Sequence, residues 1–288
     1  MGMGQIIGVD IGGTKIKAGL VSNNKAAKKI VINTQANKGK KAVIKNVLLS
    51  IEKLFNNDII AVCVGCPGPI NPETGVIERT PNLPLKGVNL KKIIRQKFRK
   101  PVFIDNDANC FALAEAVLGR GKKYSNVVGL TIGTGFGSGI IISKKIYHGK
   151  CFTAEIGHTT INFNGPKARC GNNGCLESYV SVRGILSRAS GLYAHDPKEL
   201  FELAEKGSKK AIKIWEETGF YLGIGCANII NTLNPDIIII GGKISHAWRF
   251  FNKKMKETVK KRALFSCKIV KSGLKEAGIL GAALLRHR

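Results

Sequence analysis

Long apolar runs are missing from this 288-residue chain. Stretches such as Ile237 to Ile240 fall far short of the roughly 20 residues that span a bilayer, so no membrane helix is expected. The opening MGMGQIIGVDIGG lacks a basic stretch followed by a long apolar one, so no secretory leader is expected and the chain reads as soluble and cytoplasmic. Proline is scarce, at 9 residues against 34 glycines, which gives many turns and nothing collagenous. Aromatic residues are only 7%, yet 44% hydrophobic composition supplies a real core and argues against disorder. A disulfide framework is not expected for eight cysteines in an intracellular chain of this length. Cys63, Cys66, Cys110, Cys226 and Cys267 stand in apolar surroundings and read as small core residues, whereas Cys170 and Cys175 do not.

Acidic residues are also few. Asp and Glu total 19 against 46 Lys and Arg, a net charge of +27 that raises the question of nucleic acid. The basic residues are 35 Lys and 11 Arg, however, and Arg is the side chain that reads bases and forks onto phosphate. The lysines are spread along the chain, and Ile and Asn are abundant too, which points to codon bias and a solvated surface. No specific nucleic-acid partner and no membrane partner are expected.

What is present is a strand and helix alternation. Ile6 to Ile11, the turn Gly12-Gly13-Thr14 and Ile16 to Val21 read as strand, turn, strand, with a third strand over Lys28 to Thr34. Apolar residues at Val43, Val47, Leu48, Ile51, Leu54 and Phe55 have helical spacing over Ala42 to Phe55. A buried strand over Ile59 to Val64, a helix over Leu90 to Phe98, a strand over Val102 to Ile104 and a helix over Ala108 to Leu118 follow. Then Val127 to Gly133 repeats the pattern of Ile6 to Gly12, apolar residues and glycines in step, and opens a second glycine-rich turn and strand. The second half continues with helices over Tyr179 to Ser190 and Lys209 to Leu233, a strand over Asp236 to Ile240, a helix over Trp248 to Ala263 and a last helix over Gly278 to Arg286. The class is α/β: a duplicated architecture with two lobes around a cleft.

Three constellations carry chemistry. Asp10-Ile-Gly-Gly-Thr-Lys15 joins two strands through a turn whose glycines expose N–H groups, a phosphate cradle beside a carboxylate able to hold magnesium through water. The bland alternative is a plain hairpin. Gly133-Thr134-Gly135-Phe136-Gly137-Ser138-Gly139 offers a second set of donors, and Gly241-Gly242 could let an adenine lie against backbone. Asn106-Asp107-Ala108-Asn109 follows a strand and starts a helix, either as a cap or with Asp107 as the base for an attacking hydroxyl. Glu155-Ile-Gly-His158 and Cys170-Gly-Asn-Asn-Gly-Cys175-Leu-Glu177 combine two thiols and a His, with a structural-zinc flavour, and two carboxylates able to bond sugar hydroxyls.

Together these segments resemble the ROK family of sugar kinases and sugar-responsive repressors, built on the actin/hexokinase-like (ribonuclease H-like) fold. The likeness runs through DIGGTK at 10–15, GCPGP at 65–69, TPNLP at 80–84, NDAN at 106–109, GTGFGSG at 133–139, EIGH at 155–158, CGNNGCLE at 170–177 and the glycine pair at 241–242. It implies Asp107 as catalytic base and Asn82, Asn106, Asp107, Glu155, His158 and Glu177 as sugar ligands. It implies Asp10, Gly12, Gly13, Thr14, Lys15, Thr134, Gly135, Gly241 and Gly242 around ATP and Mg2+. The family's zinc is held by a His and three Cys, but one Cys position is Ala168 here, leaving His158, Cys170 and Cys175, with the site completed by water or by a distant residue such as Cys151, or without zinc.

The expected lobes are 1–118, ending in the catalytic Asp; 119–275, with the sugar and zinc loop and the nucleotide site; and a C-terminal helix, 276–288, packing back on the first. The implied activity is ATP-dependent phosphorylation of a hexose, glucose first, with N-acetylmannosamine, N-acetylglucosamine and fructose as alternatives and polyphosphate as another donor. A homodimer or homotetramer is implied. A repressor is disfavoured because the first strand begins near residue 5, leaving no room ahead of it for a DNA-binding module, and a non-catalytic sensor because Asp10 and Asp107 are both present.

Overall fold

The computed structural model describes residues 4–80, 82–152 and 154–287. Strand β1 (Gln5–Ile11) buries Ile6, Ile7, Val9 and Ile11, so it is covered on both faces. It pairs antiparallel with β2 (Lys15–Ser22), which pairs antiparallel with β3 (Lys25–Asn33). On its other side it runs parallel to β4 (Ile59–Cys66), and β4 to β7 (Val102–Asn106), giving the order β3-β2-β1-β4-β7. Between β4 and β7 lies a two-stranded ribbon of β5 (Val76–Ile77) and β6 (Val88–Asn89). Helices α1 (Lys40–Glu52), α2 (Leu90–Phe98) and α3 (Asp107–Val117) complete this part. Ile7, Val9, Val43, Val47, Ile51, Val62, Val64, Leu90 and Ile94 share one apolar core.

The second sheet has the order β10-β9-β8-β11-β12, the same order as the first with each strand's counterpart in place. It consists of β8 (Val127–Ile132), β9 (Phe136–Ile142), β10 (Lys145–Ile146), β11 (Ile237–Gly241) and β12 (Lys268–Lys271). Strand β11 runs parallel to β8 and β12. The repeat of Ile6–Gly12 at Val127–Gly133 is therefore a repeat of the strand that begins each sheet.

The chain divides into two compact units interleaved in sequence. One holds the described residues of 1–125, 139–153 and 273–288; the other holds 126–138 and 154–272. In the first, α9 (Ala277–Leu284) packs on β1, β4 and α3. The second contains α4 (Glu177–Val180), α5 (Val182–Leu186), α6 (Pro197–Glu205), α7 (Lys209–Leu233) and α8 (Trp248–Arg262). Trp215 of α7 and Phe251 of α8 are fully buried where those helices pack.

Several local expectations change. The stretch 179–190 is not one helix: Ser181 is extended (ψ 166°) and its Oγ accepts from the Gly184 N–H, so it caps α5 and separates it from α4. Helix α6 was not expected, although Asp196 as N-cap and Pro197 at the first position are ordinary start signals. Cys267 is only partly buried, its thiol donating to the Pro235 carbonyl at 3.2 Å, whereas Cys63, Cys66, Cys110 and Cys226 are core. No described helix is long and apolar enough to cross a membrane.

Candidate functional site

In the first unit the candidate groups collect at the carboxyl ends of β1, β4 and β7, where ligands bind in open α/β sheets. Asp10, next to last in β1, stands beside Gly65 of β4, which stands beside Asp105 of β7. Burial raises the Asp10 carboxyl above its ordinary range, opposed by Lys17 and reinforced by Glu276. The turn after β1 is anchored from outside: Thr34 donates through Oγ to the Gly12 carbonyl (2.7 Å) and through N–H to that of Thr14 (2.9 Å). Gly12 N–H returns to the Lys15 carbonyl (2.9 Å), while Gly13, Thr14 and Lys15 are exposed. Neither Gly12 nor Gly13 has a positive φ, so the hairpin alone does not demand both glycines. Asn82 lies against Gly13: a Cβ built there would sit 3.5 Å from its own.

Asn106 ends β7 and caps α3, its Oδ1 accepting from the N–H groups of Ala108 (2.8 Å) and Asn109 (3.2 Å). Its Nδ2 donates to the Gly68 carbonyl at 3.1 Å. Asp107 is thus the first residue of α3, at the positive end of the helix, where the ionised form is favoured. Its Oδ1 accepts from the Ala108 N–H at 3.0 Å. The residue sits over β4, its Cα 3.6 Å from the position of a Cβ on Gly65. Burial first, then the charges of Asp107 and Asp10, push the thiols of Cys66 and Cys110 well up, so both carboxylates lie near the same buried thiols.

Two residues of this region were not singled out from the sequence. Asp105 is buried, with 1% of its side chain exposed, and its Oδ2 is 2.9 Å from His148 Nε2. The only sequence signal was adjacency to NDAN; nothing local connects it to a histidine 43 positions away.

In the second unit the glycine turn after β8 is shorter than expected. Only Gly133 to Gly135 is turn, closed by Gly133 N–H to the Gly135 carbonyl (2.9 Å), and Phe136 to Gly139 belong to β9. Glu177 at the start of α4 accepts the Phe136 N–H on Oε2 (2.8 Å), which fixes the carboxylate against this turn beside Thr134 and Gly135. Gly242 follows β11 with φ +83°, pressed against the Ile132 carbonyl of the neighbouring strand, so Gly241-Gly242 lies at the same end of the sheet as Gly133–Gly135. Glu155 precedes a single 3-10 turn that ends at His158, with Glu155 Oε2 3.7 Å from His158 Nε2.

His158, Cys170 and Cys175 come together: one ligand atom from each lies within 4.8 Å of the others. The two sulfurs are 3.4 Å apart, and Cys175 Sγ lies 3.5 Å from the His158 carbonyl. His158 Nδ1 is buried with no hydrogen-bond partner, the state of a nitrogen that ligates a metal. The loop at Ala168 is closed by backbone instead: its N–H meets the Asn172 carbonyl (2.7 Å) and its carbonyl the Gly171 N–H (3.1 Å). This donor set fits zinc with three protein ligands. Cys151 is not in the group; its sulfur takes a hydrogen bond from Asn71 Nδ2 at 3.7 Å.

The sequence profile of the ROK family matches residues 6–288. The chain belongs to the ROK family. The glucokinase of Thermotoga maritima is 34% identical to this ROK protein over 97% of this chain and 96% of that one. The xylose repressor of Caldicellulosiruptor bescii is 33% identical over 96% of this chain and 76% of the repressor. The structure of a ROK family glucokinase from Streptomyces griseus in complex with glucose and AMPPNP superposes with a TM-score of 0.88 at 26% identity, covering 99% of this chain and 100% of that one. The fold of this ROK chain is accordingly the duplicated actin/hexokinase-like α/β type.

Proposed function

We propose that this ROK family chain is a cytoplasmic, ATP-dependent hexose kinase that phosphorylates glucose at its 6-hydroxyl, with Asp107 as the general base. The observation that carries the reading is the place of Asp107: the first residue of α3, at the same strand ends as Asp10 and the exposed Gly13–Lys15 turn. Phosphoryl transfer passes through a loose transition state, so a positioned carboxylate suffices. The hydroxyl oxygen attacks the γ-phosphorus while the bond to the bridging oxygen breaks. Asp107 takes the hydroxyl proton and ADP leaves with the bridging oxygen. The N–H groups of the Gly12–Thr14 turn, with Lys15, are the donors suited to phosphate oxygens, and Gly241-Gly242 is the flat backbone suited to adenine.

Asp10 is the carboxylate that would hold Mg2+, which when bound neutralises phosphate charge. Asn82, Asn106, Glu155, His158 and Glu177 are the proposed hydroxyl partners, Glu177 held in one orientation by the Phe136 N–H. His158, Cys170 and Cys175 would hold a structural zinc, which when bound ties the EIGH turn to the 170–177 loop.

A regulator is the second reading, favoured by the xylose repressor relative. Against it, a sugar sensor needs neither a base nor a phosphate turn, the roles proposed here for Asp107 and the Gly12–Thr14 turn. ADP release over a panel of glucose, N-acetylmannosamine, N-acetylglucosamine and fructose, with ATP or polyphosphate as donor, tests the activity and identifies the sugar. Asp107→Asn keeps an acceptor for the Ala108 N–H, so the variant is expected to fold and bind sugar while losing at least about 10²-fold in turnover. Near-normal turnover in that variant would refute the role of Asp107.

A further inference from the structure

We propose that His148 is a positioning residue for the Asn106-Asp107 corner, acting through the carboxylate of Asp105. The inference rests on the kinase reading and extends it to a part of the chain that the sequence motifs leave out.

Asp105 carries a carboxylate at 1% exposure, and burying such a group is costly unless its oxygens are bonded. Its two oxygens look in different directions. Oδ1 accepts from the Asn106 N–H (2.6 Å) and from Asn109 Nδ2 (2.9 Å), both in the corner where β7 becomes α3. Oδ2 faces His148 Nε2 at 2.9 Å. One proton bridges this contact: with Asp105 ionised its oxygens only accept, and the imidazole donates through Nε2. Burial also holds the His148 ring below its ordinary pKa, which favours the neutral ring as the donor.

The segment bearing His148 is itself seated on α3. Gly139 of β9 lies so close to the helix that a Cβ there would come within 2.6 Å of the Ala108 carbonyl and 2.8 Å of the Ala112 Cβ. Lys144 Nζ donates to the Lys122 carbonyl (2.7 Å) just beyond the helix end, and Tyr147 N–H to the Ile140 carbonyl (2.8 Å). A tethered hairpin therefore holds a histidine against the carboxylate that also grips the Asn106 N–H. Asn106 in turn engages Oδ1 in the α3 cap and one Nδ2 hydrogen with the Gly68 carbonyl. Asp105, Asn106 and Asp107 are consecutive, so rotation of the first peptide re-aims the proposed base.

Removing the imidazole leaves Oδ2 without this donor. Displacement of a reacting group by about 1 Å can cost about 10²-fold in rate. His148→Ala is therefore expected to lower kcat by roughly ten- to hundredfold, with the KM for nucleotide within about twofold of the parent. His148→Gln places an amide N–H near the position of Nε2 and is expected to restore most of kcat. His148→Asn, shorter and equally neutral, is not.

Hydrogen–deuterium exchange over residues 106–109 provides a readout free of activity: faster in the Ala and Asn variants, near parental in Gln. A parent protein with no hexose-dependent ADP release removes the kinase reading, and exchange then judges the clamp alone. If His148→Ala does not fold, the Gln and Asn variants carry the comparison. Ala or Asn variants equal to the parent in both kcat and exchange, or a Gln variant no better than Asn, would overturn the proposal.

Discussion

At the scale of single residues, Asp10 shows what a site of this kind costs the fold. Its carboxyl is raised by burial, so the folded chain binds that proton more tightly than the unfolded chain does. Below the unfolded value near 3.9 both states hold the proton and there is no penalty. As pH rises through the higher folded value, the folded state must ionise a buried group and loses stability relative to the unfolded one. Asp10→Asn removes that penalty. Thermal unfolding is expected at a higher temperature for the variant at pH 7, with the difference shrinking toward pH 4, while hexose-dependent turnover falls. A variant no more stable than the parent at pH 7 would refute the burial penalty, since the opposing charge of Lys17 is already included in the raised carboxyl.

At the scale of elements, the glycine turns join strand ends that must approach closely. Gly242, after β11, has φ +83° and ψ 176°, and Gly39, before α1, has φ +85° and ψ 179°. Both lie in a region that only glycine adopts readily, at a cost of about 1–3 kcal/mol for other residues. They differ in surroundings. A Cβ on Gly39 meets nothing within 4 Å, whereas one on Gly242 would overlap the Ile132 carbonyl at the end of β8. Gly39→Ala is therefore expected to cost only the backbone strain, and Gly242→Ala that plus a displacement of β8 from β11. Denaturant unfolding of the pair gives the difference directly, and equal losses would mean that β8 yields freely. Gly242→Ala should also weaken nucleotide binding, and Gly39→Ala should not.

At the scale of the whole molecule the dominant quantity is the net charge of +27. The basic groove beside α2, lined by Lys91, Lys92, Arg95 and Arg99, also contains Glu73, and Lys91 Nζ donates to the Pro72 (3.3 Å) and Glu73 (2.7 Å) carbonyls. That is a solvated surface with part of its charge already engaged. Scattered lysines neutralise phosphates without reading bases, so any affinity for DNA should fall steeply with salt. Titration of unrelated duplexes is expected to give one sequence-indifferent affinity that is lost by about 200 mM salt and is unaffected by glucose. A sequence-selective, sugar-sensitive complex surviving that salt would favour the regulator reading over the kinase.

Features that depend on neighbours along the chain are legible without the fold. The apolar run of β1 and its repeat at β8, the turn Gly12–Thr14, the start of a second glycine turn at Gly133, and the capping of α3 by Asn106 are local patterns of hydrophobicity, backbone freedom and hydrogen bonding. They are legible because each is settled within a few residues. The break between α4 and α5 at Ser181, and the start of α6 at Asp196-Pro197, were equally local but too short or too polar to stand out by periodicity. Contacts between groups far apart in the chain come from the packed fold. It joined His148 to Asp105, and it gave the distances within the His158, Cys170 and Cys175 group that the family resemblance had already implied. It also placed Glu177 on the Phe136 N–H and set Gly242 against β8. Those partners are chosen by the requirement that buried polar atoms find bonds and that strands pack at fixed spacing, and sequence distance does not enter either condition.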